Sequence, residues 1–354
     1  MTAAQVVIAD EALRRFVASI FEHAGSTQRE ASLIAHQLVE ANLTGHDSHG
    51  VGSIPVYIRN VRSGGLVLNQ ELSIALESGP LLVCDGMGGA GQVMGYDAIA
   101  RGIARAKEQG ACILGLRNSH HLGRIGHWAA QCAAEGLVSI HFVNVISAPT
   151  VAPFGGRAAR LGTNPFAVGI PRGAEPPILL DFATSKLAVG KVRVAYNEGK
   201  TLPEGVLLTP EGDPTTDPAT FFGKTRGILL PFGEHKGSGL GLACELLGAA
   251  LTGGKTQTGP KAREAVINSM LSIIISPDKL GTEDSYLSEI SRLIEWVQSG
   301  ENRDVLLPGD VEARTRAERI REGIPIDAKT WDDILGAAKD VGAPLAEATG
   351  AAVA

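Results

Sequence analysis

No stretch of this 354-residue chain approaches the eighteen or so uninterrupted apolar residues of a membrane-spanning helix. The opening residues, Met-Thr-Ala-Ala-Gln-Val-Val-Ile-Ala-Asp, lack the basic segment and long apolar run of a secretory leader. Cysteine is scarce: Cys84, Cys112, Cys132 and Cys244 lie far apart in apolar surroundings and form no Cys-x-x-Cys pair. They read as buried thiols in a reducing compartment, so the expected location is the cytoplasm. Positive charge is also short. With 32 Lys and Arg against 38 Asp and Glu, the net charge is −6, and no basic face is available to grip nucleic acid. Neither His-Glu-x-x-His nor a Cys/His quartet is present, so no metal is expected. A protein that handles small molecules is the class these absences leave.

Glycine, by contrast, is abundant, with 44 residues and no fixed period against a typical share of roughly 7%. Tight turns in an α/β protein account for it. From Asp10 to about Leu43, apolar residues recur at three- and four-residue intervals, which predicts two amphipathic helices split at Gly25-Ser26-Thr27. Ser26 or Thr27 is a plausible cap, with Glu30 closing a capping box. Ile54 to Val61 reads as a third helix. Strand patterns at Leu81–Asp85, Ala111–Leu116, Val138–Val143 and Ile178–Asp181 alternate with helices at Gly91–Gly110 and Ile125–Glu135. Residues 202–218 read as an excursion or flap, Gly237–Leu251 as a glycine-spaced helix, and the remainder as amphipathic helix with a charged tail from Glu312 to Glu322.

Several polar clusters sit at the ends of these elements. Gly45-His46-Asp47-Ser48-His49-Gly50-Val51-Gly52 closes the second helix. Histidine exchanges protons near neutral pH, and Asp47 and Ser48 are placed to fix its tautomer, making His49 the candidate acid/base. The plainer reading is a cap at Asp47 or Ser48 with two satisfied histidines. Gly86-Met87-Gly88-Gly89-Ala90-Gly91 matches a dinucleotide fingerprint, but the next strand ends in Leu116-Arg117-Asn118 without the acidic residue that binds ribose. A tight structural turn explains it better. Asn118-Ser119-His120-His121-Leu122-Gly123-Arg124 repeats the pattern of polar groups at a strand end, where ligands bind. Glu234-His235-Lys236-Gly237-Ser238-Gly239 lacks the glycine spacing of a P-loop.

Asp47-Ser48-His49-Gly50, Asn118 to Gly123, Gly162-Thr163-Asn164-Pro165-Phe166, Asp181-Phe182-Ala183-Thr184-Ser185, Gly190-Lys191, His235-Lys236-Gly237 and Leu307-Pro308-Gly309-Asp310 occur in that order. Together they resemble the second type of malate/L-lactate dehydrogenase family, which is unrelated to the Rossmann-fold lactate and malate dehydrogenases. The resemblance runs from roughly Ala9 to Val341. It implies an α/β fold with a central non-Rossmann nucleotide-binding domain built on a mixed sheet, residues 75–254. Residues 1–74 with about 255–354 would form a helical domain for substrate binding and dimerisation. The implied activity is hydride transfer between NAD(P)H and a 2-keto acid or 2-hydroxy acid, leaning to NAD with NADP open, in a homodimer. His49 would donate the proton, with Ser48 and Asp47 beside it. Arg124 and His121 are the candidate substrate contacts. Gly123, Arg124, Ile125, Leu179, Leu180, Asp181, Phe182, Ala183, His235, Asn268, Gly309, Asp310, Val311 and Glu312, together with His49, would line the cofactor. Reduction of a cyclic imine 2-carboxylate and a catalytically silent nucleotide-binding homologue are the rivals. The intact Asp47-Ser48-His49 argues against the second.

One departure stands out. Many family members carry an arginine four residues after the site histidine, where this chain has Ser53, and Arg124 stands where many have alanine. The expectation is that the guanidinium has moved to Arg124, to grip either the substrate carboxylate or the cofactor pyrophosphate.

Overall fold

A computed structural model describes residues 5–197, 199–258 and 265–345. Its helical part begins with β1 (Gln5–Ile8), α1 (Asp10–His23) and α2 (Gln28–Leu43). The expected stripes face each other: Leu13, Phe16, Val17, Ile20 and Phe21 from α1, and Ala31, Ile34, Ala35, Leu38 and Val39 from α2, are all buried. Thr27 caps α2 by accepting from the Glu30 amide. The capping box is only half formed, because the Glu30 carboxylate accepts from the amide of Asn69 instead. Pro55 opens α3 (Ile54–Arg62).

The central part holds β2 (Ser73–Ser78), β3 (Leu81–Asp85), α4 (Gly91–Gln109), β4 (Ala111–His120), α5 (Gly126–Ala133), β5 (Val138–Ile146), β6 (Phe166–Arg172), β7 (Glu175–Phe182) and α6 (Val189–Asn197). Short strands β8 (Leu207–Leu208), β9 (Pro214–Thr215) and β10 (Ile228–Leu229) follow, then α7 (His235–Glu245), which continues as a π-helical turn over Leu246–Ala250. The chain ends with β11 (Ile267–Ile275), α8 (Glu283–Val297), α9 (Asp310–Glu322), β12 (Ile324–Asp327) and α10 (Ala328–Val341).

Seven strands form one mixed sheet in the order β2-β3-β4-β11-β5-β6-β7. Only β3 and β4 run parallel; the other neighbours are antiparallel. That is not the parallel, doubly wound sheet of a Rossmann domain. The fingerprint-like turn serves packing: the amides of Gly86 and Gly88 donate to the carbonyls of Arg117 and Asn118. A Cβ on Gly91 would stand 2.0 Å from the carbonyl oxygen of His121. No residue but glycine fits there, for a steric reason unrelated to a pyrophosphate.

Two assignments change. Ile267–Ile275, placed above with the helical C-terminal part, is the central strand of the sheet, bonded to β4 on one side and β5 on the other. Its run of Met270, Leu271, Ile273, Ile274 and Ile275 lacks an alternating pattern because both faces of a central strand are covered. Residues 202–218 are built into a three-stranded sheet, β10-β8-β9, with a small core of Val151, Val192, Leu202, Val206, Leu207, Phe221 and Leu229. β1 pairs antiparallel with β12, joining the two ends of the described chain. Among the described residues no helix is long and apolar enough to cross a membrane.

His141 lies wholly inside the sheet's packing, its ring nitrogens bonded to the hydroxyls of Ser139 and Ser272. Burial pushes its imidazole down to about 3. An unfolded histidine takes a proton near pH 6.5 and this one does not. Its contribution to stability is therefore present above pH 6.5 and lost as pH falls toward 3, at about 1.4 kcal/mol per pH unit. Unfolding free energy is expected to drop between pH 6.5 and 5, and the drop should be shallower by that slope in His141→Gln. Urea titrations at several pH values measure both; identical slopes in the two proteins would contradict the assignment.

Candidate active site

The last turn of α2 runs into a single 3-10 turn, Asp47–His49, followed by another at Val51–Ser53. Asn42 fixes both ends of the first: its side-chain amide donates to Asp47 Oδ1 at 2.6 Å and its carbonyl oxygen accepts from the Val51 amide at 2.8 Å. Within the turn, Ser48 Oγ bonds His49 Nδ1 at 2.9 Å. Asp47 does not share that task. Its carboxylate takes both terminal nitrogens of Arg319, at 2.6 and 3.1 Å, so Ser48 alone of the two expected residues meets the imidazole. A Cβ on Gly190 would lie 1.9 Å from Ser48 Cβ, which explains why glycine stands in the first turn of α6 where it crosses this turn.

His49 stacks on His121 from the loop after β4, with ring centroids 5.8 Å apart and planes within 19°. His121 Nδ1 is bonded to the Tyr57 hydroxyl at 2.6 Å, and Gln92 donates to that hydroxyl at 3.1 Å. Tyr57 and Gln92 escaped the sequence reading because both fall on the apolar faces of α3 and α4. A phenol or an amide at a core position is the signal that could have found them, since each needs a partner when buried.

Arg124 follows in the same loop. Its guanidinium is buried, donates to Thr44 Oγ1 at 3.2 Å and stands 3.4 Å, through Nε, from Asp181 Oδ2. Nε itself makes no hydrogen bond. Asp181 Oδ2 also accepts from the Gly126 amide at 2.8 Å. Asn268, on β11, accepts from the Leu122 amide and donates to the Asn144 carbonyl, tying the loop to the sheet. On the far side, the Leu179 amide donates to the Pro308 carbonyl, which places Gly309, at φ +103°, against Leu179. From the first turn of α9, Glu312 reaches His46 Nε2 at 3.1 Å. Of the predicted residues, Ser48 and His49 thus meet His121, Arg124 meets Asp181, Leu179 meets Gly309, and Asn268 ties down the loop that carries His121 and Arg124. His235 stands outside these contacts, its exposed ring meeting Phe154.

The electrostatics follow from burial. Desolvation drives the His49 imidazole down to about 4; the charge of Asp181 opposes this, while His46 and Arg124 add to it. His121 is pushed to about 3 by burial, with His49 and His120 adding. The hydrogen bond from His46 holds the Glu312 carboxyl below the ordinary range. At neutral pH the site therefore offers an uncharged imidazole next to a fixed guanidinium. The guanidinium is buried against Asp181 through Nε, and Gly123 before it takes a positive φ of +70° that glycine adopts without strain.

Comparison with known proteins identifies the family. Residues 8–335 match the family model of malate/L-lactate dehydrogenase. Hydroxycarboxylate dehydrogenase B of Escherichia coli K12 is 46% identical over 343 residues, covering 94% of each chain. A solved Escherichia coli structure assigned as a malate/lactate dehydrogenase superposes with a TM-score of 0.93 at 44% identity, over 98% of this chain and 99% of that one. Δ1-Piperideine-2-carboxylate reductase from Pseudomonas syringae pv. tomato aligns with a TM-score of 0.80 at 31% identity, over 94% and 99%. With the fold, the converging site and these likenesses together, the chain belongs to the malate/L-lactate dehydrogenase family.

Proposed function

We propose that this protein is a nicotinamide-dependent 2-hydroxyacid dehydrogenase, leaning to NAD, in which His49 carries the proton and Arg124 holds the substrate carboxylate. The observation that supports it best is a half-buried imidazole, oriented by Ser48, within electrostatic reach of a buried guanidinium. A bound reduced nicotinamide supplies the hydride; His49, Gly123 to Ile125, Leu179 to Ala183, Asn268 and Gly309 to Glu312 are the residues assigned to hold it, His235 lying outside them.

As hydride reaches the carbonyl carbon, negative charge develops on the oxygen. The His49 imidazole donates its proton there, and in the reverse direction accepts the alcohol proton. Ser48 keeps the ring in one orientation through Nδ1. Asp181 has two tasks: it neutralises Arg124 before substrate arrives, and its charge raises the proton affinity of His49 against burial. Arg124 depresses that affinity. A guanidinium that acts on His49 belongs at the reacting end of the site, which favours the carboxylate over the pyrophosphate as its ligand. A carboxylate binding to it offsets that part of the depression, the larger part of which is burial.

The reading also takes the chain to be a cytoplasmic homodimer. The four free, buried cysteines support the compartment, and the exposed Leu242, Leu246 and Leu251 along α7 and the turns after it support the association.

Oxidation of NADH and NADPH, followed at 340 nm against a panel of 2-keto acids and one cyclic imine 2-carboxylate, tests the activity. Turnover of keto acids is expected. Turnover of the imine alone would transfer the assignment to the reductase, and no oxidation across the panel would favour a silent nucleotide-binding protein.

A further inference from the structure

Helix α9 has no buried residue. Its position is nevertheless fixed, because Glu312, Thr315, Arg316 and Arg319 recur at helical spacing along one side and meet the last part of α2 and the turn that follows it. Glu312 bonds His46, Thr315 lies against Gly45, Arg316 pairs with Glu40, and Arg319 pairs with Asp47. The first turn of the same helix carries Gly309 to Glu312, assigned above to the cofactor. One polar helix therefore touches both the cofactor segment and the turn that holds the acid/base.

Arg319 makes the connection with the most geometry in it. Its NH1 and NH2 engage the two carboxylate oxygens of Asp47 separately, and NH1 also reaches the carbonyl of Asn42. Asp47 is the first residue of the turn Asp47–His49, whose internal bonds are few: the His49 amide to the His46 carbonyl and the Gly50 amide to the Asp47 carbonyl. A one-turn 3-10 segment has little rigidity of its own. Two external ties hold it, Asn42 from behind and Arg319 from α9. The side chain of Arg319 is mostly buried while that of Asp47 is 44% exposed, so the contribution of the pair lies in its forked geometry rather than in shielding from water.

We propose that Arg319 is a positioning residue for the reaction: by clamping Asp47 to α9 it sets the placement of Ser48 and His49 relative to the reacting carbon. The proposal rests on the assignment of His49 as the proton carrier. Arg319 itself touches neither substrate nor cofactor. Displacement of an acid/base by about an ångström costs up to a hundredfold in rate, so losing the clamp should appear in the chemical step and spare the binding of NADH.

The test is a double-mutant cycle of Arg319→Met and Asp47→Asn, read by single-turnover oxidation of NADH at 340 nm with saturating keto acid, and by fluorescence titration of NADH binding. Each single variant is expected to slow the single-turnover rate by roughly ten- to a hundredfold. The double variant should be no slower than the worse single one, and the dissociation constant for NADH should move less than about threefold. Arg319→Lys, which keeps the charge without the forked geometry, should recover part of the rate. It replaces the methionine variant in the cycle if that one does not fold. Losses that multiply in the double variant, or a defect confined to NADH binding with the single-turnover rate intact, would overturn the proposal. His49→Ala run alongside separates the two levels: full-speed turnover there removes the reading of His49 itself, whereas a crippled His49→Ala with a multiplicative Arg319/Asp47 cycle removes only the role of Arg319.

Discussion

Replacing His49 by alanine is expected to lower kcat for keto-acid reduction by roughly a thousandfold, the mid-range of what a positioned general acid contributes. KM for NADH should change little, because the lost interaction is made with an oxygen whose charge grows only during hydride transfer. The pH profile carries a second signature. Burial sets the free imidazole near 4, so above that pH it is a neutral base, and kcat/KM for hydroxy-acid oxidation should rise through about pH 4 and stay flat toward neutrality. Keto-acid reduction needs the protonated ring, so its kcat/KM should fall as pH rises. Both slopes should vanish in His49→Ala; their persistence would assign the proton to another group. His121, stacked on His49 and bonded to Tyr57, is the group that measurement would then point to.

Arg124→Ala should lower kcat/KM for the keto acid by about a hundred- to a thousandfold, roughly 3–4 kcal/mol, the effect of deleting a charged hydrogen-bond donor from a buried site. Part of that loss is the Asp181 carboxylate left without its cation, so Arg124→Lys should not restore full activity. The dissociation constant for NADH should move less than about threefold. The His49 profile adds an independent check: Arg124 holds that imidazole down, so its removal should shift the rising limb of the oxidation profile to higher pH. A defect in NADH affinity alone would put the guanidinium on the pyrophosphate. Unchanged constants for both ligands would make it a structural pair with Asp181.

What could be read from sequence follows from how local the physics is. The stripes of α1 and α2 and the strand Leu81–Asp85 were legible because each sets its own period against one covering layer. β11 was not, since a strand covered on both faces has no period, and its partner residues lie far off in the chain, Ile146 for Ile267 on β5 and His120 for Ile267 on β4. β6 is not legible either: Phe166 closes the Gly162–Phe166 block, and Ala167-Val168-Gly169-Ile170 after it is too short an apolar run to set a period. At the site, Ser48 beside His49 could be anticipated from adjacency. The turning of Asp47 toward Arg319 could not, because it depends on α9 arriving from 272 residues further along the chain. The partnership of Arg124 with Asp181 and Thr44 likewise joins three distant segments, although the odd placement of an arginine after Gly123 had marked the residue out.

The most direct measurement of the central claim is a crystal structure of the protein with NADH and a non-reducible keto-acid mimic such as oxamate. The imidazole of His49 should lie within hydrogen-bond reach of the mimic's carbonyl oxygen, on the side of the nicotinamide C4, with the Arg124 guanidinium on its carboxylate. An imidazole turned away from that oxygen, with another side chain bonded to it, would contradict the account.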